Sequence, residues 1–223
     1  MDAVDPFRAR LAEAWPLFGL ELRSERLRLR LPTDAELLDV MALARAGIHP
    51  PDEMPFASAW STQGSPGFER GYLAYHWTNR AAWTPEAWEI GLLVATHDGQ
   101  VLGMQGVDAR DFTHLRTVAT GSWLGQAVQG QGYGREMRGA VLSFAFDGLG
   151  ARLATTEAFL DNAASNGVSR SLGYEENGFG QLAPHGIPRE TQKFRMTEAR
   201  WRSRPRPPVQ IIGLDACRDW FGA

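Results

Sequence analysis

The sequence predicts a mixed α/β domain, one sheet with helices on both faces. Three observations carry that prediction. Leu27, Leu29 and Leu31 alternate with Arg26, Arg28 and Arg30, the period of two that marks a half-buried strand. Leu37, Val40, Met41 and Ala44 recur at helical spacing, giving one apolar face. The two kinds of run then follow one another as strand, two helices, three strands, helix, strand, helix, two strands, which is the alternation of a layered α/β fold.

In chain order, residues 7 to 18 form a short helix interrupted at Pro16. The Leu27 strand follows. Thr33 and Glu36 make a capping box that opens the next helix, and Gly47 ends it. His49 to Trp60 mixes His, acidic and aromatic residues, and the prolines from 50 to 66 rule out helix or central strand for much of it. It suits either a wall beside a substrate or a stiff surface loop. A helix runs from Phe68 to Trp83. Trp88 to Thr96 and Val101 to Val107 are strands joined at Asp98-Gly99, a strong hairpin signal. Thr117 to Leu124 is the next strand, and Met137, Ala140, Val141, Phe144 and Ala145 recur on a helix that stops at Gly148 or Gly150. Arg152 to Phe159 is a strand, Asn162 caps a short helix ending at Gly173, and two strands lie near 174–182 and 190–199. Arg202 to Pro208 reads as a linker. Beyond it, Val209 to Ile212 fits an edge strand, and Leu214, Cys217, Trp220 and Phe221 fit a short amphipathic helix. That apolar tail must pack on its own domain or on a partner subunit, so a homodimer is one expectation. The implied division is an arm (1–19), a catalytic-size domain (20–200) and a packing segment (201–223).

At 223 residues, 43% apolar and 22% charged, the chain has the make-up of one globular domain with appendages. A net charge of −3 argues against a broad nucleic-acid or membrane surface. The single cysteine, Cys217, excludes an intrachain disulfide and a cysteine-rich metal site, so no metal is expected. There is no signal-peptide pattern around Asp2 and Asp5 and no apolar stretch long enough to span a bilayer. The expected compartment is the cytoplasm.

The chain is organised around Trp123-Leu124-Gly125-Gln126-Ala127-Val128-Gln129-Gly130-Gln131-Gly132-Tyr133-Gly134-Arg135. It leaves a strand, crosses a glycine-dense turn and enters a helix. Glycines let the backbone curl so that successive N–H groups converge, and the helix N-terminus adds unpaired donors and positive potential. The combination is a phosphate cradle. A nucleotide-triphosphate loop needs a lysine that is absent here. A dinucleotide fingerprint needs Gly-x-Gly-x-x-Gly, and this loop is Gly-x-Gly-x-Gly. What remains is Gln-x-x-Gly-x-Gly, filled by Gln129, Gly132 and Gly134. A second pattern lies downstream on a strand-to-helix junction: Asn162, Ser165, Gly173 and Tyr174.

Together these motifs resemble the GNAT superfamily of acyl-CoA N-acyltransferases, in the branch of the ribosomal-protein N-terminal acetyltransferases, over roughly residues 22 to 200. The resemblance implies a largely antiparallel sheet whose central parallel strands splay apart. It implies acetyl-CoA or succinyl-CoA as acyl donor and a small-molecule or peptide amine as acceptor. Trp123 and Leu124 would pair with the pantetheine amides. Gln129, Gly130, Gln131, Gly132, Tyr133, Gly134 and Arg135 would hold the pyrophosphate. Asn162 would contact the pantetheine or cap its helix. Many relatives use a tyrosine acid where this chain has Ser169, so Ser165 is the candidate for the sulfur, by hydrogen bonding. Relatives often carry a glutamate on the strand before the loop, but Ala119 and Thr120 stand there. Glu157 or Glu89 would have to act as base through water, and Asp52, Glu53 and His76 are candidates for the acceptor amine. His49, His97, His114 and His185 read as loop residues. A non-catalytic acyl-CoA sensor and a dinucleotide-dependent oxidoreductase are the competing classes.

Overall fold

The computed structural model describes residues 5–223, so Asp2 lies outside the described residues. Nine strands form one sheet, in the order β7-β8-β6-β5-β4-β3-β2-β1-β9. Helix α1 (Pro6–Ala14) leads through a 3₁₀ turn at Pro16–Gly19 to β1 (Glu21–Arg23) and β2 (Leu27–Arg30). Helix α2 (Asp34–Ala46) starts at the expected capping box: Thr33 Oγ1 accepts from the Glu36 N–H, and Glu36 accepts from the Thr33 N–H. Helix α3 (Gly67–Ala81) precedes the hairpin β3 (Trp88–Thr96) and β4 (Val101–Ala109). A short turn of helix, α4 (Phe112–Leu115), leads into β5 (Thr117–Leu124). Helix α5 (Tyr133–Ser143) runs on through a π turn at Phe144–Gly148 into β6 (Leu153–Phe159). Helix α6 (Ala163–Leu172), β7 (Glu175–Leu182), β8 (Arg189–Thr197), α7 (Glu198–Arg202) and β9 (Gln210–Ile212) complete the chain.

Among the described residues all neighbouring strands run antiparallel except β5 and β6, which run parallel. Two cores cover the two faces of the sheet. On one, Met137, Ala140, Val141 and Phe144 of the α5 segment pack on Leu29, Val107, Val118 and Ala154. On the other, α2 and α3 place Leu37, Val40, Phe68 and Tyr72 against Leu93 and Met104. The alternation of strand side chains between faces explains why both cores could be supplied by the same strands.

Sequence and structure differ at short elements. Strand β1 and helix α4 carry too few residues to show a period. The last core strand ends at Thr197, not Ala199, because Thr197 Oγ1 caps α7 by accepting from the Arg200 N–H at 3.2 Å. The C-terminal tail packs in cis. Strand β9 pairs with β1, Phe221 is fully buried, and the indole N–H groups of Trp83 and Trp88 donate to the carbonyls of Trp220 and Phe221 at 2.8 and 3.2 Å.

Candidate active site

The turn between β5 and α5 is built to present donors. Gly130 and Gly132 have φ of 75° and 83°, a region where a Cβ would be strained. Val128 and Gln129 spend their N–H groups inside a 3₁₀ turn, on Gly125 O and Gln126 O. The next N–H with a protein acceptor is that of Glu136, on Gly132 O at 3.2 Å. Among the described residues, the N–H groups from Gly130 to Arg135 therefore have no acceptor. Six unpaired donors at a helix N-terminus are the kind of group that an anion satisfies, and the space beside Gly130 is open. The loop is braced from outside. Gln129 Nε2 donates to Ile48 O at 2.8 Å and Leu124 O at 2.9 Å, so Gln129 is scaffold and the donors begin one residue later. Arg26 donates to Gln131 O at 3.1 Å and to Glu136 at 2.6 Å, and lies 4.4 Å from the Tyr133 ring centroid. That clamp joins residues far apart in the chain and was not legible in the sequence.

Beside the loop the sheet opens. Strands β5 and β6 pair only at Thr117↔Leu153, Val118↔Ala154 and Ala119↔Thr155, although both continue, to Leu124 and Phe159. Above this point side chains replace the ladder: Thr120 Oγ1 donates to Thr155 O at 3.3 Å and Thr156 Oγ1 to Thr120 O at 2.9 Å. The result is a fork beside the main chain of Gly121, Ser122, Trp123 and Leu124. Trp123 and Leu124 pair with β4 on their other side, and Leu124 O is already engaged by Gln129.

A shallow trough leads into this fork on the α2–α3 face. Gly91, Gly106 and Gly121 are register partners across β3, β4 and β5, so three missing side chains line up in one row. A Cβ on Gly121 would meet nothing within 4 Å, while one on Gly91 would press on His76 at 3.1 Å. Leu93, Met104 and Trp123 form one bank of the trough, and Glu89, Asp108, Ala119 and Thr155 the other. Tyr75 donates to Glu89 on the acidic bank. Burial, and then the charge of Glu89, raise the Asp108 pKa. Burial holds His76 neutral, its pKa lowered to about 4.

The proline-rich segment roofs the fork. Its start is held to the glycine loop through Gly47 O and Ile48 O. Met54 O accepts from Arg189 at 2.7 Å, and Arg189 pairs with Asp161 at 2.8 Å beyond β6. Trp60 packs on Trp123 and Tyr72 with centroids 5.8 and 5.6 Å apart. His49 is structural, with Nδ1 on Pro50 O and Nε2 on Ser61 Oγ, both at 2.8 Å. Asp52 and Glu53 are exposed on a turn of the roof.

At the far strand, Asn162 caps α6, its Oδ1 accepting from the Ser165 N–H at 3.0 Å. The Ser165 hydroxyl is half-exposed and has no hydrogen bond among the described residues. Ser169, by contrast, is buried and donates to Ser165 O at 3.2 Å inside the helix. Glu157 is exposed and accepts from Thr191 Oγ1 at 3.2 Å. Counting on from Ala119↔Thr155, Gly121 and Glu157 stand across the fork from one another. Asp108 belongs beside these residues although no motif marks it. No cluster able to hold a metal occurs among the described residues, and no described helix is long and apolar enough to cross a membrane.

Known proteins share this fold. The fold is similar to that of a candidate ribosomal-protein-serine acetyltransferase from Vibrio cholerae, at 20% identity and TM-score 0.62, covering 79% of this chain and 97% of that one. It is similar to Mycobacterium smegmatis RimJ in complex with CoA-disulfide, at 15% identity and TM-score 0.65, covering 91% and 94%. It also matches RimL, a ribosomal L7/L12 alpha-N-protein acetyltransferase in complex with coenzyme A, at 17% identity and TM-score 0.60, covering 78% and 95%. The acetyltransferase (GNAT) domain family matches residues 26–175, a span that includes the donor loop, the fork, the glycine row and Asn162. With its cradle, its parted strands and that match, the chain belongs to the GNAT acetyltransferase family.

Proposed function

We propose that this protein transfers an acetyl group, with succinyl as the second choice, from acyl-CoA to a primary amine by direct attack in a ternary complex. The observation that carries the reading is the run of six unpaired N–H groups from Gly130 to Arg135, set beside an open fork. An anion with several oxygens satisfies such a run, and the open edge of β5 near Trp123 offers main-chain partners to an amide-bearing arm. The donor would supply an activated thioester carbonyl. The protein would supply placement, which can account for a large part of a bimolecular rate.

In this reading the loop from Gly130 to Arg135 binds the pyrophosphate, and Trp123 and Leu124 flank the pantetheine. The unengaged Ser165 hydroxyl donates a hydrogen bond to the sulfur that leaves. Glu157, across the fork from Gly121, takes the proton of the incoming ammonium through water. The acceptor arrives along the glycine row, under the Trp60 roof, with its cationic end beside Asp108 and Glu89. Structural neighbours named for ribosomal proteins make an N-terminal peptide the first acceptor to try, ahead of small amines.

The test is calorimetric titration with coenzyme A, followed by thiol release from acetyl-CoA and succinyl-CoA with N-terminal peptides, polyamines and aminoglycosides. Release with at least one amine is the expected result. Tight CoA binding with no release from any amine would make the protein a sensor. Stabilisation by NAD(H) and not by CoA would overturn the reading.

A further inference from the structure

Arg138 is a buried cation that no carboxylate balances among the described residues. Its side chain leaves α5 toward the fork and is 3% exposed. Its Nη2 donates to Ser122 Oγ on β5 at 3.0 Å, and its Nη1 to Thr156 Oγ1 on β6 at 3.1 Å. Its Nε is buried without an acceptor. Among the described residues it takes part in no ion pair. The buried Tyr174 hydroxyl lies beside it, raised in pKa by burial and pulled back by the Arg138 charge. An isolated charge in such a place opposes folding strongly. Packing alone would be served as well by a methionine.

The two hydroxyls that hold the guanidinium differ in what they do next. Thr156 Oγ1 donates its own hydrogen bond to Thr120 O at 2.9 Å, which ties the fork below its opening. Ser122 accepts from Arg138 and has no acceptor for its own O–H among the described residues. It is half-exposed and sits on β5 between Gly121 and Trp123, past the last β5–β6 pair. A hydroxyl that accepts from a cation becomes a stronger donor, and a low-dielectric setting magnifies the effect. We propose that Arg138 is a positioning residue whose uncompensated charge, relayed through the Ser122 hydroxyl, polarises the thioester carbonyl in the fork. The inference rests on the acyl-CoA reading above. As the amine nitrogen bonds to the carbonyl carbon, the C=O π pair moves onto oxygen, where the Ser122 O–H and the charge behind it favour it. The pair returns as the C–S bond breaks, sulfur leaves with its electrons, and the surplus proton on nitrogen passes to sulfur or water. The same positive charge also favours the neutral form of the attacking amine, which compensates for the absence of a carboxylate on β5.

The experiment is carbon NMR of acetyl-CoA labelled at the carbonyl, bound to the wild type, Arg138→Met, Arg138→Lys and Ser122→Ala. The expected result is a downfield carbonyl shift in the wild type that is lost in Arg138→Met and Ser122→Ala and partly kept in Arg138→Lys. In turnover, the two neutral variants lose about 100-fold in kcat, with coenzyme A affinity little changed. If Arg138→Met fails to fold, Ser122→Ala carries the test, since it removes one hydroxyl at a half-exposed site. Equal carbonyl shifts in the bound wild type and Ser122→Ala would overturn the inference. If the wild type binds no acetyl-CoA, the acyl-CoA reading itself falls and takes this inference with it.

Discussion

Gly121 gives the sharpest separation of stability from function. It lies inside β5 with ordinary extended backbone, in register with Gly106, and a Cβ there meets nothing within 4 Å. Glycine within a strand costs roughly 0.5–1 kcal/mol relative to alanine, because the unfolded chain has more freedom to lose. With no clash to offset that gain, Gly121→Ala should stabilise the protein by about that amount, a rise in Tm of about 2 °C for a domain of this size. The residue's use must then lie in the space it leaves. Gly121→Leu fills the trough at the mouth of the fork, and a displacement of the reactants by about 1 Å is enough for a loss near 100-fold in kcat/KM for the amine. Differential scanning calorimetry and acceptor kinetics on the same samples check both halves. A Leu variant that is stable and fully active, with an unchanged KM for the amine, would refute the assignment of the glycine row to the acceptor.

Three further outcomes follow from burial. His76, with a folded pKa of about 4 against 6.5 ordinarily, takes its proton first in the unfolded chain. Its contribution is intact above pH 6.5 and is lost as pH falls toward 4, about 3 kcal/mol in all; denaturant titrations at several pH values should show this slope in the wild type and not in His76→Phe. Asp108 is shifted the other way, so the stability it gives is present below its ordinary range and lost as pH rises through its raised pKa. Asp108→Asn should therefore be more stable than the wild type at neutral pH and not at pH near 3, measured by the same titrations. Phe221→Ala empties a site lined by Trp88 and Phe144, at centroid distances of 4.9 and 5.3 Å, and should cost about 3–5 kcal/mol; an unchanged Tm would mean that the tail does not hold the sheet edge.

How much of this was legible depended on the range over which each signal acts. The capping box at Thr33 and the Asp98-Gly99 hairpin are local, and the structure places both where the residues put them. The donor loop was also legible, because glycine spacing reports on backbone shape. The glycine row was not, although Gly91, Gly106 and Gly121 follow one another at a constant interval in the sequence. Their alignment depends on the lengths of two intervening connections, one of which holds the α4 turn that no period announces. Arg138 was hidden for another reason. In a helix read by its apolar face, an arginine between Met137 and Ala140 passes for a solvated residue, and only coordinates reveal that it points inward. Asp108, Arg26 and the Met54–Arg189 contact share this character: each is defined by a partner far away in the chain.

Several unfavourable features of this molecule meet around the fork, and their meeting there is itself an argument for where function resides. The half-buried Glu36, by contrast, is compensated by Arg8, Arg30 and the Thr33 N–H. Around the fork three glycines thin the sheet, the parallel ladder stops after Ala119, and, among the described residues, six N–H groups find no acceptor and a buried guanidinium donates to hydroxyls. Each of these lowers stability, and none is needed to close the sheet, since β6 is secured on its other side along its whole length by β8. A strand held firmly on one edge can be left unpaired on the other. That asymmetry lets the protein keep a slot open between β5 and β6 without loosening the fold around it, and it predicts that amide exchange will be fast at Gly130 to Arg135 and slow across the β6–β8 ladder. Uniform protection across both segments would contradict the view that the fork is a rigid opening in an otherwise stable sheet.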